Sequence, residues 1–207
     1  MKDPMPRSFL PLLAALALSG CSAVAALDRA AAPQEVHDLR APEGVAAARA
    51  AAPVELVVDL PAAGRPIDTD RILVRPGPTR IAYLPDARWS ATAPEMLQAA
   101  MVESFLKSNA FAFVGRRPLG ASGDLALVTT LLDFGAETDA DGAGATVEMT
   151  LVARLVRERD AGIVARRTFS RRASAPDTSS PAIVAAYAGV FDAVLADLAR
   201  WVLDSAT

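Results

Sequence analysis

Between Thr146 and Leu155 the chain alternates in polarity: Val147, Met149, Leu151, Ala153 and Leu155 fall on one side, and Thr146, Glu148, Thr150 and Arg154 on the other. A period of two marks a β-strand with one face in the core and the other in water. Such a strand folds only where something apolar covers its buried face. Turn signals flank it, Asp139-Ala140-Asp141-Gly142-Ala143-Gly144 before and Asp160-Ala161-Gly162 after. Glycine permits the positive φ that tight hairpin turns use. Leu125 to Phe134 and Ile163 to Arg172 are therefore the expected neighbouring strands. Leu125 to Phe134 carries apolar residues of both parities, which suits a central strand. In Ile163 to Arg172 the polar Arg166, Thr168 and Ser170 alternate with Arg167, Phe169 and Arg171, so the pattern leaves the inward face open.

Two stretches can provide the cover. Thr92-Ala93-Pro94-Glu95 fits a capping box, with threonine as N-cap and glutamate three residues on. Behind it Leu97, Met101 and Phe105 repeat at helical spacing, with Val102 and Leu106 widening the stripe, and Ser108-Asn109 ends the helix. Ser180-Pro181 opens a second helix, serine as N-cap and proline at the first helical position. Ile183, Tyr187, Val190, Val194, Leu198 and Trp201 mark its buried side; Asp192, Asp197 and Arg200 fall opposite. Further strands are expected at Val54 to Leu60, Arg71 to Arg75, Thr79 to Leu84 and Phe111 to Val114. The turn Pro76-Gly77-Pro78 makes a hairpin of the second and third, Ala62 to Asp70 reads as a loop, and Pro85 to Ser90 leads into the first helix. The expected fold for residues 53–207 is α+β: a two-layer sandwich, a mainly antiparallel sheet with two amphipathic helices on one face.

Residues 22 to 52 are alanine-rich, broken by Pro33 and Pro42, and poor in large apolar side chains, so they cannot build a core. They read as a tether, with a helical turn in Val45 to Ala52 and a short edge strand at His37-Asp38-Leu39-Arg40-Ala41-Pro42, where His37 is a surface residue. Before the tether, Lys2 and Arg7 precede an apolar run from Phe9 to Leu18. That run is short of the roughly 20 residues that a bilayer span needs, and a charged start followed by small residues reads as a secretory signal. Leu18-Ser19-Gly20-Cys21 resembles a bacterial lipobox. The resemblance implies cleavage of residues 1–20, diacylation of the Cys21 thiol and acylation of the new amine. Ser22, where aspartate would mark retention in the inner membrane, implies the outer membrane, periplasmic face.

Composition narrows the chemistry. A formal net charge of −3 gives no basic field for nucleic acid. Cys21 is the only cysteine, so acylation leaves no thiol for a disulfide or for redox chemistry. His37 is the only histidine, which removes most metal sites and most Ser–His nucleophile arrangements. Asp133 and Glu137 lie about 13 Å apart on an extended strand, too far for paired acid–base work. Gly115 to Gly123 has three glycines but no phosphate-loop lysine, and reads as a loop. Ser179 and Ser180 read as helix cap, and Tyr187 and Trp201 as core. No enzyme, metal or cofactor site is expected. The densest feature of one sign is Arg154, Arg157, Arg159, Arg166, Arg167, Arg171 and Arg172. Alternation puts Arg167 and Arg171 on one face and Arg166 and Arg172 on the other. These four are the expected partner-binding residues, for acidic groups or lipid phosphates; a solvated edge that blocks aggregation is the other reading.

The order of features from His37 onward resembles the ABC-type transport auxiliary lipoproteins, the paraquat-inducible protein C-like family. His37-Asp38-Leu39 stands where that family often has a Tyr-x-Leu strand, without its aromatic. Tyr83 and Trp89 match the lead into the first helix, and Pro94-Glu95-Met96-Leu97 continues it. Phe111 and Val114, then Leu127, Leu131 and Phe134, then Phe169 and Trp201 match the later elements. The resemblance implies a non-enzymatic lipoprotein that works with an MCE-domain substrate-binding protein and, through it, an ABC permease and ATPase. Such systems move phospholipids or other hydrophobic molecules between membranes. Assembly into a homo-oligomer stays open. The alternative is a structural or regulatory periplasmic lipoprotein, such as an activator of a cell-wall synthase.

Overall fold

In the computed structural model, residues 33–43, 52–117 and 123–206 are described. The chain divides after Gln34, and the folded unit begins at Glu35. Cys21, the signal segment, most of the tether, all but Ala52 of its expected turn at Val45 to Ala52, and the middle of the Gly115 to Gly123 stretch lie outside the described residues; Ala52 itself opens a strand rather than closing a helical turn. The elements of the folded unit are β1 Glu35–His37, β2 Ala52–Val58, β3 Ala62–Ala63, β4 Arg71–Gly77, β5 Arg80–Trp89, α1 Ala93–Ser108, β6 Phe111–Arg116, β7 Leu125–Thr138, β8 Ala145–Arg157, β9 Gly162–Ala175 and α2 Ser180–Ser205.

β7 organises them. One of its edges runs antiparallel to β8 along its full length, from Leu125 opposite Arg157 to Thr138 opposite Ala145. The other edge meets three short strands in turn, all parallel to it: β2 at Leu125–Leu127, β3 at Thr130–Leu131 and β4 at Ala136–Glu137. The chain thus climbs β7 in three steps, leaving the sheet between them. β6 pairs parallel with β2, β5 antiparallel with β4, β1 parallel with β5, and β9 antiparallel with β8. Among the described residues the sheet has nine strands and is mixed. The expectation of a mainly antiparallel sheet holds for the hairpins, where tight turns dictate direction, and fails where loops and a helix set it.

The alternation that began at Thr146 is realised: Val147, Met149, Leu151, Ala153 and Leu155 are fully buried. The mixed parity of β7 comes from a bulge. Leu131 faces Leu151 and Asp133 faces Thr150, so Leu132 is the extra residue and is 58% exposed. Past it the inward set changes parity, from Leu127 and Leu131 to Phe134 and Ala136. On β9 Phe169, opposite Leu151, is the buried aromatic, and its ring meets Trp201 edge-on at 5.7 Å.

α1 starts as expected. Thr92 accepts from the Glu95 N–H, and the Glu95 carboxylate accepts from the Thr92 N–H at 3.0 Å. Asn109 closes it in the left-handed region, φ 50°. Leu97, Met101 and Phe105 are buried, but Leu106 is 54% exposed and does not belong to the stripe. The helix packs on β6 and β2 and touches α2, which lies along β8 and β9. α2 opens one residue earlier than expected: Ser179 is the N-cap, without a side-chain cap bond, and the Ser180 hydroxyl instead donates to Asp86 Oδ1. By length and composition α2 could cross a membrane. Its Ile183, Tyr187, Val190, Val194, Leu198 and Val202 are buried in the core.

Several strands run further than their local patterns. β4 takes in Pro76-Gly77, β5 continues through Pro85 to Trp89, and β9 begins at Gly162 and ends at Ala175. The extension of β5 places Trp89 at the centre of an aromatic cluster, 6.0 Å from Phe134 and 5.4 Å from Tyr187. Tyr187 is fully buried, and its hydroxyl donates to the Leu73 carbonyl. Burial drives its ionisation far above the ordinary phenol range. Upstream, the edge strand expected near His37 is β1. Leu39 and Ala41 beyond it are buried, so ordered packing begins before residue 53.

Candidate functional site

The last hairpin divides its arginines by partner. Cross-strand pairs Glu148–Arg172 and Arg154–Arg166 share the polar face of β8, while Met149–Arg171 and Ala153–Arg167 share its apolar face. The predicted split of the four site arginines into two faces is therefore the observed one, and no single surface presents them all. Arg171 is tied to Asp197 of α2. Arg172 holds Glu148 at 2.6 Å. Burial opposes ionisation of Glu148, but hydrogen bonds from Arg172 and Thr150 outweigh it and keep the carboxyl below its ordinary range. Arg167 lies over the Phe169 ring, 5.3 Å from its centroid. Arg166 and Arg154 form no ion pair among the described residues. Arg157 and Arg159 share Asp160 at 3.2 and 3.9 Å. The Gly162 N–H, then Arg157, hold that carboxyl below its usual range.

A second feature escaped the sequence. A groove of about 740 Å³ opens beside the first turns of α1, between Asp38–Arg40 and Arg116–Arg117. Its best-fixed polar group is Gln98, 6% exposed, whose Nε2 donates to the Val58 and Arg117 carbonyls at 3.0 and 2.9 Å. Two carbonyl acceptors leave only one amide orientation, which frees Oε1 to accept. Nothing local in the sequence marks Gln98, because the two carbonyls come from the ends of distant strands.

The residues weighed for catalysis stand apart. Asp133 is paired with Arg75 at 2.9 Å, while Glu137 sits opposite Thr146. Gly135 allows the Arg75 guanidinium to cross β7, since a Cβ there would collide with it. His37 is not the surface tether residue expected: its side chain is 20% exposed, and Glu35 stands 3.8 Å from Nε2, beyond hydrogen-bond reach. The Ser179 N–H donates to Asp177, and the Ser180 hydroxyl to Asp86. Among the described residues no group of three His, Cys, Asp or Glu is placed to hold a metal ion. What the surface offers is contact chemistry, guanidinium groups on a long hairpin and an open groove beside α1.

Comparison with known proteins agrees with this picture. A family model described as the ABC-type transport auxiliary lipoprotein component matches residues 37–199. A crystal structure of a Xanthomonas campestris protein is 26% identical, covers 84% of this chain and 97% of its own, and superposes with a TM-score of 0.73. A second crystal structure, of an uncharacterized protein, is 16% identical, covers 82% and 99%, and has a TM-score of 0.57, a likeness of fold alone. A search of curated proteins gave no match.

Proposed function

The chain belongs to the ABC-type transport auxiliary lipoprotein family, and from that premise we propose how it serves its transport system. It is the auxiliary lipoprotein component of an ABC-type system, held to a membrane by lipid. In the proposed reading Cys21 is the acylated residue, residues 1–20 are the cleaved signal, and the anchor lies in the periplasmic face of the outer membrane. The protein is a contact subunit rather than an enzyme. Its partner is an MCE-domain substrate-binding protein and, through it, a permease and an ATPase that move phospholipids or other hydrophobic molecules. Both helices cover one face of the sheet in two layers, which leaves the opposite face for the partner.

The observation that carries the docking proposal is the arginine hairpin. Arg166 and Arg172 extend from the polar face, and Arg167 and Arg171 from the helix side. Arginine forks grip carboxylate and phosphate in two-point fashion. Co-purification of the acylated chain with the MCE-domain protein tests this. Arg166→Glu with Arg172→Glu is expected to abolish recovery of the partner, while Arg167→Glu with Arg171→Glu loosens α2 through the lost Asp197 bond and leaves recovery largely intact. Recovery should also fall as salt rises, because exposed charges are screened over about 8–10 Å at physiological strength. If both double variants recover the partner as wild type does, the hairpin is not the docking surface. If the wild type recovers no MCE-domain protein, ATPase or permease at all, the assignment of partner is wrong.

A further inference from the structure

The turn end of the β8–β9 hairpin combines exposed aliphatic side chains with arginines. Ile163 pairs with Val156 and Ala165 with Leu155, and the register shift between them leaves Val164 unpaired. Two consecutive aliphatic side chains are thereby turned to solvent, Ile163 62% and Val164 38% exposed. Next to them Arg154 and Arg166 stand directly opposite each other, exposed, with no ion pair among the described residues. Like charges at directly opposed positions, about 5 Å apart at Cβ, destabilise the pair. An anion between the two guanidinium groups relieves that repulsion. Arg157 and Arg159 add two more cations around the carboxylate of Asp160, while Glu158 between them is engaged by Arg117. On the helix side of the turn, Val164, Val54, Pro53 and Leu125 line a groove of about 530 Å³ together with Arg157, Arg159 and Asp124.

We infer that this end of the domain rests on the membrane surface, with anionic phospholipid headgroups on the arginines and Ile163 and Val164 in the boundary between headgroups and acyl chains. The inference rests on the lipid anchor of the family reading. Cys21 and Glu35 are separated by a stretch that, pulled straight, reaches about 50 Å, so the anchored domain stays near the bilayer. The chemistry favours lipid over a protein. A stable protein interface takes about 800 Å² per partner, and among the described residues the only large aliphatic side chains this end exposes are Ile163 and Val164. A fluid layer of phosphates closes around a small tip, and each arginine near an anionic surface strengthens attachment about fivefold. Arg166 is shared between this end and the docking surface proposed above, and the test leaves it unchanged.

The acylated full-length chain is placed in vesicles with Ile163→Cys carrying an environment-sensitive fluorophore. Leu106→Cys on α1, equally exposed, is the control. Acylation occupies the Cys21 thiol, so the new cysteine is the sole labelling site; labelling of wild type would show instead that the anchor reading fails. In vesicles containing phosphatidylglycerol, the probe at 163 is expected to shift to the blue and to be quenched by a lipid-borne quencher, and the probe at 106 to do neither. Arg154→Gln with Arg159→Gln is expected to cut the shifted fraction at least fivefold, as should replacing the vesicles with pure phosphatidylcholine. A probe at 163 that stays as water-like as the one at 106 overturns the inference, and so does a shift indifferent to both arginines and headgroup. A shift that needs added envelope proteins assigns the tip to a protein partner and overturns it equally.

Discussion

Phe105 and Leu106 are adjacent on α1 and differ sharply in environment: 1% and 54% exposed. Phe105 also meets Phe111 edge-on at 5.8 Å, which couples α1 to the strand after it. Truncating a buried phenylalanine removes its transfer energy and leaves a cavity, together about 3–5 kcal/mol, with the lost ring pair within that range. Truncating an exposed leucine to alanine on a helix should stay within about 0.5 kcal/mol, since alanine is the better helix former. With a urea m-value of about 2 kcal/mol/M, Phe105→Ala should lower the unfolding midpoint by about 2 M, while Leu106→Ala barely moves it. The two residues sit about 100° apart on the helix wheel, so the pair reads the rotation of α1 about its axis. Equal midpoints, or a larger loss from Leu106→Ala, would mean that α1 presents a different side to β6 and β2.

Glu95→Ala removes half of the capping box and should cost about 1 kcal/mol or less, seen as a small drop in melting temperature. Ala161 holds φ at 53° in the last hairpin turn; Ala161→Gly should raise stability by up to about 1 kcal/mol, and Ala161→Val should lower it. The carboxyls of Glu148 and Asp160 titrate below their unfolded values, so their contribution is present above about pH 4.5 and is lost as pH falls through the folded values. Urea midpoints should therefore decline between about pH 5 and pH 3, less steeply in Glu148→Gln. Cys21→Ser should release the protein from the membrane fraction without lowering the midpoint of the folded unit; retention after a high-salt wash would refute acylation at that residue.

Local pattern carried the elements whose surroundings are uniform along their length. β8 is covered on one face from Val147 to Leu155, so its alternation reads directly as burial. α1 and α2 carry continuous stripes, and the capping box of α1 depends on four adjacent residues. Where the surroundings change partway, the pattern misled. Leu106 has the right spacing for the stripe but falls beyond the edge of what covers it. β7 hides a bulge at Leu132 that reverses parity midway, and a chain without its partner strand gives no sign of it. The parallel contacts of β2, β3 and β4 with β7 are two or three residues each, too short to leave a periodic trace. β1 has three residues, and what fixes it is Ala87–Trp89 of β5, some fifty positions away. Of the candidate site, the arginine density and its division between faces were legible. Which arginines are already engaged was not, because Asp197 and Glu148 meet them only through the fold.

The engaged arginines have a use within the fold itself. Among the described residues β9 is paired only with β8, so a strand of fourteen residues leaves one edge of backbone groups open there, a template for unwanted strand addition. Arg171 bonded to Asp197 straps this strand to α2, and Arg172 on Glu148 straps it to β8. Both fix the strand in place and add charge along an open edge, so part of the basic density protects the fold. Arg154 and Arg166 have no such use. Among the described residues they face each other without an acid between them, which costs stability rather than adding to it. A repulsive pair that the fold does not require is best explained by an anion supplied from outside, and its position beside two exposed aliphatic residues is where a headgroup phosphate would arrive. Arg171, engaged, and Arg154, unpaired among the described residues, thus serve different ends, and substitutions should separate them: loss of Arg171 should register in the melting temperature, loss of Arg154 in attachment to an anionic surface.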